Sequence, residues 1–197
     1  LAMGPSAAQF LDEVEPASLH EQSEDCLYLN IWVKDPSKRN QLVMVYIHGG
    51  AYFSGGAADP LYYGANFAAN HDVVLVSINY RLNVFGSLQL SVLPGGDEYP
   101  EAGYLAITDQ MAALEWLQEN VAQFGGDPDC ITLFGESAGS ASAALMAVTP
   151  RAKGLFKRAI CESGPIQLYK TPEKAAPYAL EFAAIMGCET VAELAQK

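Results

Sequence analysis

Ile131-Thr132-Leu133-Phe134-Gly135-Glu136-Ser137-Ala138-Gly139-Ser140 is the stretch on which the fold reading turns. A short apolar run, ITLF, leads into Gly135-Glu136-Ser137-Ala138-Gly139, and a segment rich in small residues, Ala138–Val148, leaves it. Strand, G-x-S-x-G and helix in that order predict a sharp strand-to-helix turn that lifts the Ser137 hydroxyl off the end of a sheet. Gly135 and Gly139 stand two residues to either side of Ser137, where such a turn crowds the backbone and a Cβ would collide. A helix starting at Ala138 aims the positive end of its dipole at the serine, which favours developing negative charge. Ser137 is therefore the candidate nucleophile.

Upstream, Leu42–Ile47 (LVMVYI) is a continuous apolar run, as expected for a strand buried on both faces. It ends in His48-Gly49-Gly50-Ala51, an HGGG-type loop with alanine in the last place. Beside a nucleophile elbow, such a loop supplies backbone N–H groups to an oxyanion hole. The expected donors are the N–H groups of Gly50, Ala51 and Ala138. His48 is not expected to act as the base. It belongs to the loop, and in this order of motifs the acid and the histidine follow the serine. His20 and His71 also precede Ser137 and read as surface residues.

Further strands are expected at Cys26–Val33, Val73–Ile78 and Arg158–Cys161, besides Ile131–Phe134. Helices are expected from about Leu105 to Phe124, stopped by Gly125-Gly126-Asp127-Pro128, and over Pro172–Met186. Apolar strands alternating with helices predict an α/β fold whose mostly parallel sheet is covered on both faces.

A chain of 197 residues is long enough for one globular domain and too short for two, and with half of the residues hydrophobic and 17% charged the composition argues against intrinsic disorder. No apolar run is long enough for a membrane span. The net charge of −12 argues against nucleic acid as a partner. Residues 1–33 carry six acids and no Lys or Arg, whereas six of the eleven basic residues lie between Arg151 and Lys174. This asymmetry reads as a solvated surface. Cys26, Cys130, Cys161 and Cys188 contain no CxxC pair. The pattern calls for neither metal nor cofactor.

These motifs resemble the type-B carboxylesterase (cholinesterase-like) family. SEDCLYLN at 23–30, HGGAYFSGG at 48–56, INYRLNVFGSL at 78–88, DQMAALEWLQENVAQFGGDP at 109–128 and FGESAGS at 134–140 occur in the family's order, and the similarity runs from about Gly4 to Gly164. The resemblance implies an α/β-hydrolase that cleaves small-molecule carboxylic esters through a serine acyl-enzyme. It matches Ser137 to the nucleophile and Gly50, Ala51 and Ala138 to the oxyanion-hole donors. Glu136 matches the nucleophile's acidic neighbour, and Ser163 a serine near the triad. Glu24 and Arg81 match a pair that forms a structural salt bridge in relatives. The alanine of GGA resembles relatives that accept bulky esters.

In the family the catalytic Glu and His follow far beyond the nucleophile. Here neither His nor Asp follows Ser137. The expectation is a partial α/β-hydrolase domain over 1–197, the nucleophile-bearing half, inactive on its own and completed by a C-terminal segment or second chain. In the disulfide-bonded relatives that the chain resembles, the cysteine matching Cys26 pairs within a segment resembling Gly4–Gln9, and the one matching Cys188 bridges a short loop. Here Gly4–Gln9 holds no cysteine and none follows Cys188, so free thiols and a bacterial cytoplasmic setting are favoured. The rival readings are an esterase-like adhesion or scaffold protein, an inert fragment, or amide or thioester cleavage by the same serine. Retention of GESAGS and of the glycine loop argues against the scaffold.

Overall fold

A computed structural model describes residues 3–9, 21–165 and 169–197. His20 lies outside them. Strands β1 (Ser6–Ala7) and β2 (Gln22–Ser23) form a small parallel pair. The main sheet is built from β3 (Leu29–Val33), β4 (Gln41–Ile47), β5 (Val73–Ile78), β6 (Gly126–Glu136) and β7 (Arg158–Glu162), in the spatial order β3-β5-β4-β6-β7. Only β3 runs antiparallel to its neighbour, and the other pairings are parallel. Helices α1 (Ala65–Asn70), α2 (Asn83–Ser87), α3 (Leu105–Asn120), α4 (Ala138–Val148), α5 (Pro172–Ile185) and α6 (Val191–Leu194) supply the crossovers and the flanks.

The main core lies on one face of this sheet. Val43, Val45 and Ile47 of β4, Val74, Val76 and Ile78 of β5, and Ile131 and Leu133 of β6 turn the same way. They meet Ile107, Met111, Leu114 and Leu117 of α3 and Met146 of α4. The opposite face carries a smaller cluster of Trp32, Ala68 and Leu75, with Met44 and Phe134 at its border. Strand β5 is buried along its whole length, as a doubly covered parallel strand should be. Strand β4 instead alternates, with Leu42 exposed and Met44 and Tyr46 half-buried. The expectation of burial on both faces holds for β5 and fails for β4, whose second face meets, among the described residues, short elements such as α1 and the turn at Tyr62.

Element boundaries follow backbone geometry. The helix expected to reach Phe124 is α-helical to Asn120 and closes in a 3-10 turn over Val121–Phe124. Gly125 then adopts φ 85°, a left-handed cap that glycine takes without steric cost. The strand expected at Ile131–Phe134 is longer, because Gly126–Cys130 continue the ladder and Gly126 pairs with Gln41. The strand expected from Cys26 starts only at Leu29. Cys26 and Tyr28 take part in turn hydrogen bonds instead.

Candidate active site

Parallel register brings the two motifs together. Ile47 of β4 lies opposite Gly135 of β6, so the chain leaves both strands side by side. A Cβ on Gly49 would stand 3.0 Å from the Glu136 carbonyl oxygen, 3.0 Å from Glu136 Oε2 and 3.2 Å from Ser137 Cβ. The glycine loop thus lies directly against the nucleophile turn. Gly139 packs so tightly on the Ile47 carbonyl that no side chain fits, and a Cβ on Gly135 would meet that same oxygen at 2.7 Å. Both glycines are close-approach positions. They let the first turn of α4 sit on the end of β4.

Ser137 caps α4 with φ 54° and ψ −119°, a region that non-glycine residues enter only under constraint. Its N–H donates to the Glu162 carbonyl at 3.0 Å, and its carbonyl accepts from Ala141 N–H at 2.9 Å. The turn is therefore pinned from β7 on one side and from within α4 on the other. Ser137 is half-buried, Glu136 is exposed and Ala138 is fully buried. Ser163 follows Glu162 at φ 54° and is exposed, while Gly164 packs against the buried Ser140 side chain.

In the glycine loop three consecutive residues have positive φ: Gly50 at 95°, Ala51 at 53° and Tyr52 at 63°. Among the described residues, none of the turn and loop hydrogen bonds uses the N–H of Gly50, Ala51 or Ala138. All three are free to donate, that of Ala138 because the first turn of a helix has no intrahelical acceptors. His48 is set apart from any proton-transfer role. It is buried, its ring stacks on Tyr80 with centroids 4.3 Å apart, and Nδ1 lies 2.8 Å from Gly49 O. Burial pushes its pKa down to about 4. The ring is therefore neutral near pH 7, with its proton on Nδ1 for Gly49 O. His71 is exposed beside Phe67.

The expected ion pair of Glu24 with Arg81 is corrected. Arg81 grips Asp109 of α3 instead, through Nε to Oδ2 at 2.8 Å, Nη2 to Oδ1 at 2.6 Å and the backbone N–H to Oδ2 at 3.0 Å. Three donors on one buried carboxylate leave it no need of another partner, and the bidentate fork satisfies Arg81. The bond to Asp109 pushes the Arg81 pKa further up. Glu24 lines the same crevice as Arg81 and Cys26, exposed to solvent. All four cysteines are free thiols. Cys26 and Cys188 are buried, and burial pushes the Cys26 thiol pKa up.

Several supporting residues lie inside the quoted motifs, although nothing in those motifs sets out their roles. Tyr80 donates its hydroxyl to the His48 carbonyl at 2.8 Å. Asn83 binds the loop through its N–H to Tyr52 O at 2.9 Å and its Nδ2 to Phe53 O at 3.0 Å. Tyr52 reaches across to α4. Among the described residues no group of three or more His, Cys, Asp or Glu could hold a metal, and no helix is long and apolar enough to cross a membrane.

With the geometry in place, comparison with known proteins agrees with the motifs. The model of the carboxylesterase family matches residues 2–196. The chain belongs to the carboxylesterase family. The para-nitrobenzyl esterase of Bacillus subtilis is 47% identical over 169 residues, covering 86% of this chain and 34% of its own length. The liver carboxylesterase of Sus scrofa is 47% identical over 175 residues, covering 86% of this chain and 29% of its own. A carboxylesterase from Geobacillus stearothermophilus superposes with a TM-score of 0.87 at 44% identity, over 96% of this chain and 38% of its own. The fold is that of the α/β-hydrolases. The chain spans about a third of the length of the curated relatives it matches.

Proposed function

We propose that the protein carrying this chain is a carboxylic ester hydrolase that works through an acyl-enzyme on Ser137. One observation carries the reading: Ser137 is held in a left-handed conformation at the sheet's end, directly against a glycine loop with free N–H donors. A histidine from outside this chain takes the Ser137 proton, and Oγ attacks the ester carbonyl carbon. The N–H groups of Gly50, Ala51 and Ala138 hold the oxyanion. Collapse breaks the ester C–O bond, and the histidine returns the proton to the departing alcohol. Water, deprotonated by the same histidine, then releases the acid and restores Ser137.

Glu136 and Ser163 flank the nucleophile without taking its proton. The rest of the enzyme, as a C-terminal segment or a second chain, brings the acid and the histidine and pairs with the open edge of β7. This reading is preferred over an adhesion or scaffold role because a scaffold has no use for a constrained serine facing free donors.

The test is intact-mass analysis of the full-length protein after a fluorophosphonate probe, paired with hydrolysis of a para-nitrophenyl ester. Wild type is expected to gain one adduct, at Ser137, and to turn over ester. Ser137→Ala should gain none and lose more than about 10³ in kcat. Hydrolysis by Ser137→Ala near the wild-type rate would overturn the assignment. A wild type that neither labels nor hydrolyses would favour the scaffold.

A further inference from the structure

We propose that Tyr52 is a positioning residue that locks the two sides of the oxyanion hole together, with Asn83 as its counter-anchor. The inference rests on the esterase reading for its catalytic consequence but on the hydrogen-bond network for its existence. Tyr52 directly follows Ala51. Its hydroxyl donates to the Ala138 carbonyl at 3.1 Å. It therefore ties the loop bearing two of the expected donors to the residue bearing the third. A hydroxyl has one proton and two lone pairs, and here all are used. With the proton given to Ala138 O, the Tyr52 oxygen accepts from Ser142 Oγ at 2.8 Å and from the Tyr169 hydroxyl at 2.8 Å. The Ser142 hydroxyl lies one turn beyond Ala138 on α4, so two of the three contacts reach the same helix end.

The loop needs such a brace. Ala51 and Tyr52 are successive non-glycine residues at positive φ, each costing on the order of 1 kcal/mol, and such strain persists only where surroundings over-determine it. Besides the loop's own turn bonds from Phe53 and Ser54 N–H to Gly50 O, two determinants act on Tyr52 and Phe53 from other elements. On the α4 side stands the Tyr52 hydroxyl. On the other side Asn83, itself at φ 56°, donates its N–H to Tyr52 O and its side-chain amide to Phe53 O. Burial pushes the pKa of both hydroxyls up; the bonds Tyr52 accepts from Ser142 and Tyr169 pull its own back down, whereas the bond to Tyr52 pushes that of Tyr169 further up. Phenylalanine at position 52 would fill the same space and leave Ala138 O, Ser142 and Tyr169 without their common partner.

The test uses the full-length protein and two variants, Tyr52→Phe and Asn83→Gly. The second keeps the left-handed backbone and its N–H bond while losing the amide bond to Phe53 O. The expectation for Tyr52→Phe is a fall in kcat of about tenfold, a fraction of the 10²–10³ that loss of one donor brings. KM should stay within about twofold, and affinity for a boronic acid that mimics the tetrahedral intermediate should fall in parallel with kcat. Asn83→Gly should show the same split more weakly, and it carries the test if Tyr52→Phe does not fold. Unchanged kcat and boronate affinity, or kcat and KM shifting together, would overturn the proposal. Amide hydrogen exchange over residues 49–54 separates its failure from that of the esterase reading. Exchange there should quicken about tenfold in Tyr52→Phe whether or not the protein hydrolyses esters, and unchanged exchange would dismiss the clamp by itself.

Discussion

The glycine loop hangs on an imidazole that never needs a charge. His48 is buried between Tyr80 and the loop, with a folded pKa of about 4 against an ordinary value of 6.5. A histidine whose pKa is depressed on folding stabilises the native state above pH 6.5. That stability drains as pH falls, because the unfolded chain takes up a proton the folded chain refuses, and the loss levels off below pH 4. The span amounts to about 3 kcal/mol. His48→Phe keeps a ring against Tyr80 and removes the titration. Thermal midpoints measured from pH 7 to 4 should fall less steeply in this variant than in wild type, and parallel curves would refute the account. Legibility differed sharply among residues. Ser137 and its glycines were readable because their constraints are local and imprint a fixed spacing. Tyr52 was not, because its partners stand at 138, 142 and 169 and a phenylalanine would have fitted the same pattern.

Among the elements, the most informative join is that of α3 to the segment after β5. Arg81 places its backbone N–H and guanidinium on Asp109, whose side chain is 4% exposed, while that of Arg81 is 33% exposed. The Arg81–Asp109 join fixes the start of the Arg81–Ser87 stretch, which carries Asn83 and so the counter-anchor of the glycine loop. Removing one partner from a pair this buried strands the other, at a cost of about 3 kcal/mol once the exposure of Arg81 is discounted. Asp109→Ala should therefore lower the unfolding free energy by about that amount in denaturant titrations, whereas Glu24→Ala at an exposed position should change it by less than about 0.5 kcal/mol. Equal effects would restore Glu24 as the partner. The family resemblance pairs Arg81 with Glu24 and passes over Asp109, since choosing between residues 24 and 109 depends on how the elements pack. Helices α3 and α4 and strand β5 were legible for the opposite reason. Their period or unbroken apolar run is visible within one window.

Across the whole molecule, coverage of the sheet is lopsided. One face carries the continuous core of α3 and α4, yet β7 ends the sheet with every residue from Arg158 to Glu162 exposed. Ile160 is 44% exposed there, beside a free Cys161. Parallel strands are rarely left bare, and an open edge with an apolar centre invites another strand. Under the proposed function that strand comes from the rest of the enzyme. Against self-pairing stands the net charge of −12, which repels a second copy at long range. Repulsion fades beyond the Debye length, about 10 Å at 0.1 M salt, whereas edge pairing is a contact interaction that salt leaves intact. A polypeptide of residues 1–197 alone should therefore self-associate more as salt is raised, with growing apparent mass in light scattering. Ile160→Lys, which places a charge at the centre of the edge, should suppress that growth. A monodisperse 21.1 kDa species at about 0.5 M salt, where screening is nearly complete, would show that β7 does not recruit a strand.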